Sequence, residues 1–305
     1  MDEIQKRLFE QIADLHEVPQ GAYNFRVNGE SAGRNVTEHI DIITKSDKPG
    51  IDIIIKPGTK KESVHIPVVI SQTGLQECVY NDFYVGEDAD VTIVAGCGIH
   101  NAGDKKSEHD GIHTFHLAKN ARVRYVEKHY GSGEGTGERI LNPQTVVYLD
   151  EGSMLEMDTV QIEGVDSTVR TTKATVGDRA SLVIREKIMT HDNQYAKTDF
   201  TVDINGEDSS VDLVSRSVAK GDSKQEFFSN INGNNRCKGH SECDAILQDK
   251  GSVIATPSLD AKHVDAQLVH EAAIGKIAGE QLNKLMSLGL TQLQAESQIV
   301  NGFLK

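Results

Sequence analysis

Between about residue 38 and residue 260 the chain is built from short runs in which Val and Ile alternate with polar residues: IDIIIK, VHIPVVI, DVTIVAG, RVRYVE, TVVYL, SLVIRE and SVDLVS. A period of two is the signature of strands, because successive side chains point to opposite faces of a sheet. Turn residues punctuate the runs about every ten residues, and no helix-length periodic segment interrupts them. The ends differ. Ile4, Leu8, Ile12 and Leu15, with Phe9 beside them, follow a helical period over residues 3–16. After residue 270, Leu282, Leu285, Met286 and Leu288 do the same until Gly289, and a second helix starts at a Thr291/Gln294 capping box.

Aligning the strand runs on a small residue after a polar turn uncovers a repeat. YVGEDADVTIV, HLAKNARVRYV, YLDEGSMLEMD, TVGDRASLVIR and INGEDSSVDLV each read as apolar residue, polar turn, small residue, alternating strand, and LQDKGSVIAT is a sixth copy. The small residues Ala89, Ala121, Ser153, Ala180 and Ser209 are spaced by 32, 32, 27 and 29 residues. An all-β unit of that length suits one coil of a β-solenoid, whereas a propeller blade needs about 40 or more residues. A small residue fits a crowded corner of such a coil. A β-sandwich with similar hairpins is the alternative architecture. The expected division is an N-terminal helical or extended region over 1–37, a β-helix core over 38–265 and a C-terminal helical region over 266–305. An open coil exposes sheet edge and core, so the terminal helices are expected to cap the solenoid or to dock a partner.

Composition narrows the functions. The net charge of −14 argues against nucleic acid and against an anionic membrane surface as partners. Aromatics make up only 5% and Trp is absent, so Val, Ile, Leu and Ala must build the core. No apolar run approaches membrane-spanning length, and the N-terminus MDEIQKRLFEQ has no signal-peptide pattern. Four cysteines without a secretory signal point to a reducing cytoplasm and to free thiols or metal ligands.

The motifs of nucleotide hydrolysis, hydride transfer and zinc proteolysis are missing; in LVHEAAIGK, Ile274 stands where a second zincin histidine would be. His100, His109, His113 and His116 cluster in IHNAGDKKSEHDGIHTFH, which reads as a polar loop between coils or a transient metal site. HYGSGEGTGER reads as a flexible glycine-rich loop. Cys78 reads as a buried small hydrophobe, and Cys97, between glycines, as structural or reactive with equal weight. In CKGHSECD, Cys243 is flanked by His240, Glu242 and Asp244. Thiolate, imidazole and carboxylate together suit iron better than a redox disulfide. Cys237 is a candidate second ligand, although five intervening residues permit closeness without requiring it.

Three blocks in order, ECDAIL (242–247), AQLVHEAAIGKIAGEQL (266–282) and IVNGFLK (299–305), resemble the SufB/SufD family, the scaffolds of the Suf iron–sulfur cluster assembly system. Weaker likeness runs upstream through HLAKNARVRY and VTIVAGCG to about residue 60. The resemblance implies a right-handed parallel β-helix with terminal helices. It implies a transient iron–sulfur cluster built at an interface with a second SufB- or SufD-type subunit, and a SufC-type ABC ATPase bound through the C-terminal helices. Cys243 matches the cluster-building cysteine, Glu271 its carboxylate partner and His270 the neighbouring histidine. The expected iron and cluster ligands are thus Cys243, His270 and Glu271, with Cys237 and Asp244 supporting. Cys97 matches a cysteine proposed to receive sulfur at the far end of the β-helix; the donor protein is not implied. The chain is shorter than typical SufB, lacks its cysteine-motif extension, and carries Leu304 where a SufB cysteine often lies. It therefore resembles an archaeal-type scaffold expected to work as a homodimer, by assembly rather than catalysis. The alternatives are a SufD-like adaptor without its own cluster and a β-helix carbohydrate-active enzyme.

Overall fold

The computed structural model describes residues 2–305. Its elements are α1 (Glu3–Ala13), β1 (Ala22–Val27), β2 (Glu30–Asn35), β3 (Ile40–Thr44), β4 (Gly50–Ile55), β5 (Lys60–Ile70), β6 (Gln76–Val85), β7 (Asp90–His100), β8 (Ser107–Leu117), β9 (Arg122–Ser132), β10 (Arg139–Leu141), β11 (Gln144–Leu149), β12 (Met154–Glu163), β13 (Ser167–Val176), β14 (Ser181–Thr190), β15 (Tyr195–Ile204), β16 (Ser209–Ala219), β17 (Lys224–Gly233), β18 (Cys237–Leu247), β19 (Ser252–Ala261), β20 (Gln267–Gly275), α2 (Gly279–Ser287) and α3 (Gln292–Phe303). The chain alternates between two sheets. One runs β2-β1-β5-β7-β9-β12-β14-β16-β18-β20. The other runs β19-β17-β15-β13-β10-β8-β6-β4-β3, with β11 also between β13 and β8. From β5 onward every pairing is parallel and each strand pairs with a strand one coil away, which makes a β-solenoid with its inner faces turned toward each other.

The register reproduces the sequence repeat. Val91 pairs with Val123, Val123 with Leu155, Leu155 with Leu182 and Leu182 with Val211, which are offsets of 32, 32, 27 and 29 residues. The small residues are fully buried at one edge of the coil. Four of them close the turn by donating to the carbonyl three residues back, as Ala121 N does to Ala118 O at 3.0 Å. The residue before each small one (Asp88, Asn120, Gly152, Arg179 and Asp208) takes a left-handed conformation, with φ between 55° and 69°. Turn polarity and small size are therefore one requirement: a left-handed residue turns the chain, and the next must fit inside the corner. The sixth segment departs from this. LQDKGSVIAT joins β18 to β19 and so lies at the opposite edge. The next small residue at the original edge is Cys237, the register partner of Ser209.

Two loops read as mobile or polar are ordered stacks. The glycines of GSGEGTG pack onto the loop one coil below: a Cβ at Gly133, Gly135 or Gly137 would come within 2.2 Å of the carbonyl oxygens of Asn101, Gly103 or Lys105. Close backbone approach, not flexibility, explains these glycines. The stretch expected as a histidine-rich loop is mostly strand, since β8 starts at Ser107.

α1 and α3 lie on the side of the solenoid rather than across its ends. α1 buries Leu8, Phe9, Ile12 and Ala13 against β1, β5 and β7. The N-terminal end is closed by the antiparallel pairs β1–β2 and β3–β4. α3 packs Val300 and Leu304 on Val218 and Ile246. Its Thr291/Gln294 capping box forms as expected. β1 and β20 belong to the solenoid, so its strands begin before residue 38 and continue past residue 265. The last coil, β19 and β20, is largely exposed, with Ile254, Leu259, Val264, Val269 and Ile274 in contact with solvent. No helix among the described residues is long and apolar enough to cross a membrane.

Candidate functional site

Parallel in-register strands place side chains in columns, and two inward columns of the first sheet carry the site. One reads Ala95, Glu127, Thr159, Glu186, Ser215, Cys243, Ala272; the other starts Cys97, His129, Gln161, Ile188. Where a solenoid interior is ordinarily apolar, this one contains a polar row. At one end Arg26 Nε donates to Glu77 Oε2 at 2.8 Å, and Glu77 Oε1 lies 3.1 Å from His109 Nδ1. Next, Asn81, His113, Tyr125 and Glu127 form a chain with contacts of 3.3, 2.8 and 2.8 Å. Arg170 Nη1 then lies 2.8 Å from Glu127 Oε2, and Arg170 Nε 3.5 Å from Glu186 Oε1. Glu186 accepts from Thr198 Oγ1 at 2.8 Å and from Ser215 Oγ at 2.9 Å. Ser215 is the register neighbour of Cys243.

These groups persist in the core because they compensate one another. Burial works to raise the Glu127 carboxyl, but Arg170 and then His129 overcome it and hold it well below the usual range. Burial raises the Glu186 carboxyl, and Arg170 offsets this only in part. Burial lowers His113 to about 4, so it stays neutral. The row therefore carries an ionised Glu127–Arg170 pair beside a carboxyl biased toward its protonated form.

Cys243 faces this interior and is 1% exposed. Burial pushes its thiol up to about 12, with Glu186 and then Asp244 adding to the effect. His270 lies on the adjacent strand as the register partner of buried Ser241, on the same inward face. It is offset by two residues from Cys243, which puts the Cα atoms about 8 Å apart from strand spacing and rise. The His270 Nδ1 is buried with no hydrogen-bond partner. Glu271 does not join them. As the residue after His270 on a strand it points to the outer face, where its register partner is Glu242. Asp244 is also on the outer face, its Oδ1 accepting from Ala273 N at 3.1 Å. Glu242 beside it is pushed up by burial and then by Asp244.

Cys237 is not brought to Cys243. Both face inward on β18, but six residues of strand separate them by ~20 Å. Cys237 packs in the core as a corner residue. Cys78, expected in the core, is instead only half-buried, on the outer face of β6. Cys97 faces the interior and is 3% exposed. The glycines beside it face outward and admit α1: a Cβ at Gly96 would lie 2.8 Å from Ile12 O, and one at Gly98 3.2 Å from Leu8 Cβ. Cys97 and Cys243 stand five strands apart, about 24 Å at the usual strand spacing.

The histidines divide by parity. His109 and His113 point inward; His116 points outward and stacks between Tyr84 and Tyr148, with ring centroids 5.0 and 5.1 Å away. His100 ends β7, 3.1 Å from Ser132 Oγ. Among the described residues no three His, Cys, Asp or Glu side chains converge to hold a metal ion, which removes the histidine cluster as a metal site within one chain. The interior residues Glu127, Arg170 and Glu186 escaped the sequence reading. Their signal was parity: in RVRYVEKH and SLVIREKI a glutamate falls on the same face as Val123, Tyr125, Leu182 and Ile184.

The family model described as "SUF system FeS cluster assembly, SufBD core domain" matches residues 72–303. An Archaeoglobus fulgidus relative, described as an iron–sulfur cluster assembly SufBD family protein, is 30% identical over 263 residues, covering 85% of this chain and 69% of the relative. A relative of the same description from Methanocaldococcus jannaschii is 26% identical over 83% of this chain and 79% of its own length. One from Methanothermobacter thermautotrophicus is 27% identical over 84% of this chain, which spans 62% of that relative.

Proposed function

The chain belongs to the SufBD family of iron–sulfur cluster assembly proteins, and from that membership we propose that it is a scaffold on which a nascent cluster is built. The observation that carries this reading is the inward placement of Cys243 and the unpartnered His270 on the last two strands of one sheet, at an exposed end coil. Sulfur received at Cys97 travels along the polar interior row to Cys243. Iron and sulfide are the cargo, bound by Cys243 and His270 and released later. Two donors in one chain hold a cluster loosely, which suits transfer. Ile254, Leu259 and Val269 on the open coil fit a second copy of the chain, which would supply the mirror-related donors and close the end. Glu271, on the outer face, would serve the site only across that interface. The exposed Leu288 and Leu293 of the C-terminal helical pair support docking of a SufC-type ATPase there. The protein works in a reducing, cytoplasmic setting and acts by assembly rather than turnover.

Anaerobic reconstitution with iron and sulfide tests the reading. A charge-transfer absorbance that Cys243→Ser and His270→Ala greatly reduce is expected, and an unchanged spectrum in both variants would refute it. One observation favours a second reading, a SufD-like adaptor: Cys243 is sealed inside and Glu271 is turned away. Binding of the ATPase with no uptake of iron or sulfide would establish the adaptor.

A further inference from the structure

The N-terminal mouth of the solenoid, at the opposite end of the sheet from Cys243, holds a pocket of about 200 Å³. Buried Ile51, Val79 and Asn81 form its floor, and Ser31, Arg34 and Thr44 stand exposed at its rim. Four cationic residues line it, Arg26, Arg34, Lys45 and Lys48, and no aspartate or glutamate does. The two lysines are engaged elsewhere. Lys45 Nζ is held by Asp52 and Asp82, which point away from the interior on β4 and β6. Lys48 Nζ lies 4.4 Å from the centroid of the Tyr80 ring, on the same outer face. The positive charge that faces the pocket is therefore that of the arginines.

Arg34, on β2, reaches across to two other strands. Its Nε donates to Asn24 Oδ1 on β1 at 2.8 Å, and its Nη1 donates to Thr44 Oγ1 on β3 at 2.8 Å. A guanidinium carries five N–H donors in a rigid fork and keeps its charge at any working pH. These neutral acceptors fix the fork without neutralising it, and Arg34 makes no ion pair among the described residues. Its Nη2 has no partner there. Arg26 is held from the other side: its Nε donates to Glu77 Oε2 at 2.8 Å, which leaves both terminal nitrogens unpartnered among the described residues. Because Arg34 occupies the oxygen of Asn24, that amide has its Nδ2 to spare. The pocket thus combines spare donors from two strands with one uncompensated positive charge.

We propose that this pocket binds a small tetrahedral oxyanion, phosphate or a short phosphate monoester. The guanidinium fork matches an oxyanion edge, and charge-assisted hydrogen bonds are the strong ones. Donors from Arg26 and Asn24 on one strand and Arg34 on another suit oxygens pointing several ways, more than the two coplanar oxygens of a carboxylate. Size limits the ligand. At ~30 Å³ per water the space holds about six waters, enough for a phosphate with a short substituent. It falls below the ~300–1,000 Å³ of pockets for drug-sized ligands, so a nucleotide does not fit. A chain of net charge −14 repels anions in general, and this pocket is a local exception. Once bound, the anion would tie β1 to β2 and, through Arg34 and Thr44, to β3, the strands that close this end. The site is independent of cluster assembly at Cys243, and neither reading depends on the other.

The test titrates the full chain with inorganic phosphate by isothermal titration calorimetry in ~0.1 M chloride, where exposed charges beyond ~10 Å are screened. One saturable site per chain is expected. Arg34→Gln should weaken it about ten- to a hundredfold, the ordinary worth of a hydrogen bond to a charged group. Lys48→Gln should leave it within about twofold, as a screened neighbour does. Asn24→Asp keeps the test decisive if Arg34→Gln does not fold: its carboxylate pairs with Arg34, preserves the contact that fixes the fork, and should abolish phosphate binding. Glycerol 3-phosphate separates the sources. Tighter binding than phosphate assigns the ester, weaker binding assigns the free ion, and both support the site. Unchanged phosphate affinity in Arg34→Gln or in Asn24→Asp overturns the site, and no saturable binding by the wild type overturns the proposal as a whole. Succinate bound as tightly as phosphate overturns the tetrahedral class. ATP bound more tightly than phosphate, and lost in Arg34→Gln, overturns the size limit.

Discussion

Replacing Arg170 by Met removes the one cation between two buried carboxylates. Glu127 and Glu186 are 4% and 2% exposed, so solvent cannot take over its role. At the 2.8 Å separation from Glu127, an effective dielectric of 20 gives an attraction of ~6 kcal/mol, much of it consumed by desolvation. Deleting one partner of such a pair costs ~3–5 kcal/mol. Glu127 can escape by taking a proton. From the ordinary carboxyl value of 4.5 that costs ~3.4 kcal/mol at pH 7 and almost nothing at pH 4. The variant should therefore lose ~3–4 kcal/mol at neutral pH and much less near pH 4. The signs agree with the wild type. Its Glu127 carboxyl is depressed, so the stability from that group is present above the unfolded-state value of 4.5 and is lost as acid titrates the folded carboxyl. In the variant the carboxyl is raised, so stability falls as pH rises, and the two curves converge in acid. With no Trp in the chain, urea unfolding followed by far-UV circular dichroism at several pH values is the assay. Adding Glu127→Gln and Glu186→Gln to the variant should recover part of the loss. A variant within ~1 kcal/mol of wild type at pH 7, or one with the same deficit at pH 4 and pH 7, would refute the charge argument.

Four further outcomes follow from the geometry. Gly133 has φ of +98° and a Cβ would meet Asn101 O at 2.2 Å, so Gly133→Ala should cost at least ~1–3 kcal/mol; Gly279, in open space, should accept Ala without loss, and paired denaturation curves check both. The Cys243 thiol is raised from 9.0 to about 12, so its contribution is intact below the unfolded value and is lost as pH rises toward the folded one. Alkaline unfolding should accordingly retreat in Cys243→Ala, and iodoacetamide at neutral pH should label half-buried Cys78 ahead of the three buried cysteines. If the proposed homodimer closes on the β19–β20 coil, Ile254→Asp with Leu259→Asp should abolish self-association in analytical ultracentrifugation while leaving the far-UV circular dichroism of the chain unchanged, since both side chains are exposed in the single chain.

Much of the fold was legible along the chain. The offsets between Ala89, Ala121, Ser153, Ala180 and Ser209 are the coil lengths themselves, because in a parallel in-register stack the sequence repeat and the strand register are one quantity. The Thr291/Gln294 cap was equally plain, since a cap is a contact between residues three apart. The site was less legible. Cys243 and His270 could be named from motif likeness. That Glu271 faces the other way follows from strand parity once 267–275 is known to be a strand rather than the start of a helical region. The Glu127–Arg170–Glu186 row could not be read directly, because each member is a single polar residue on an alternating strand and only stacking brings the three together.

The sequence alone determined the local and the periodic: strands of period two, a coil of about thirty residues, helices at both ends and a family of cysteine, histidine and carboxylate positions. Tertiary structure decided what depends on which face a side chain takes and which coil lies beside it. It placed Cys237 in a corner and Cys97 against His129 within the solenoid. It turned the glycine-rich loop into a stacked wall, and it left the β19–β20 coil open at the end where Cys243 and His270 lie. Alternation is a property of one strand and can be counted along a chain. Adjacency across coils joins residues about thirty positions apart, and it exists only when the sheets have formed.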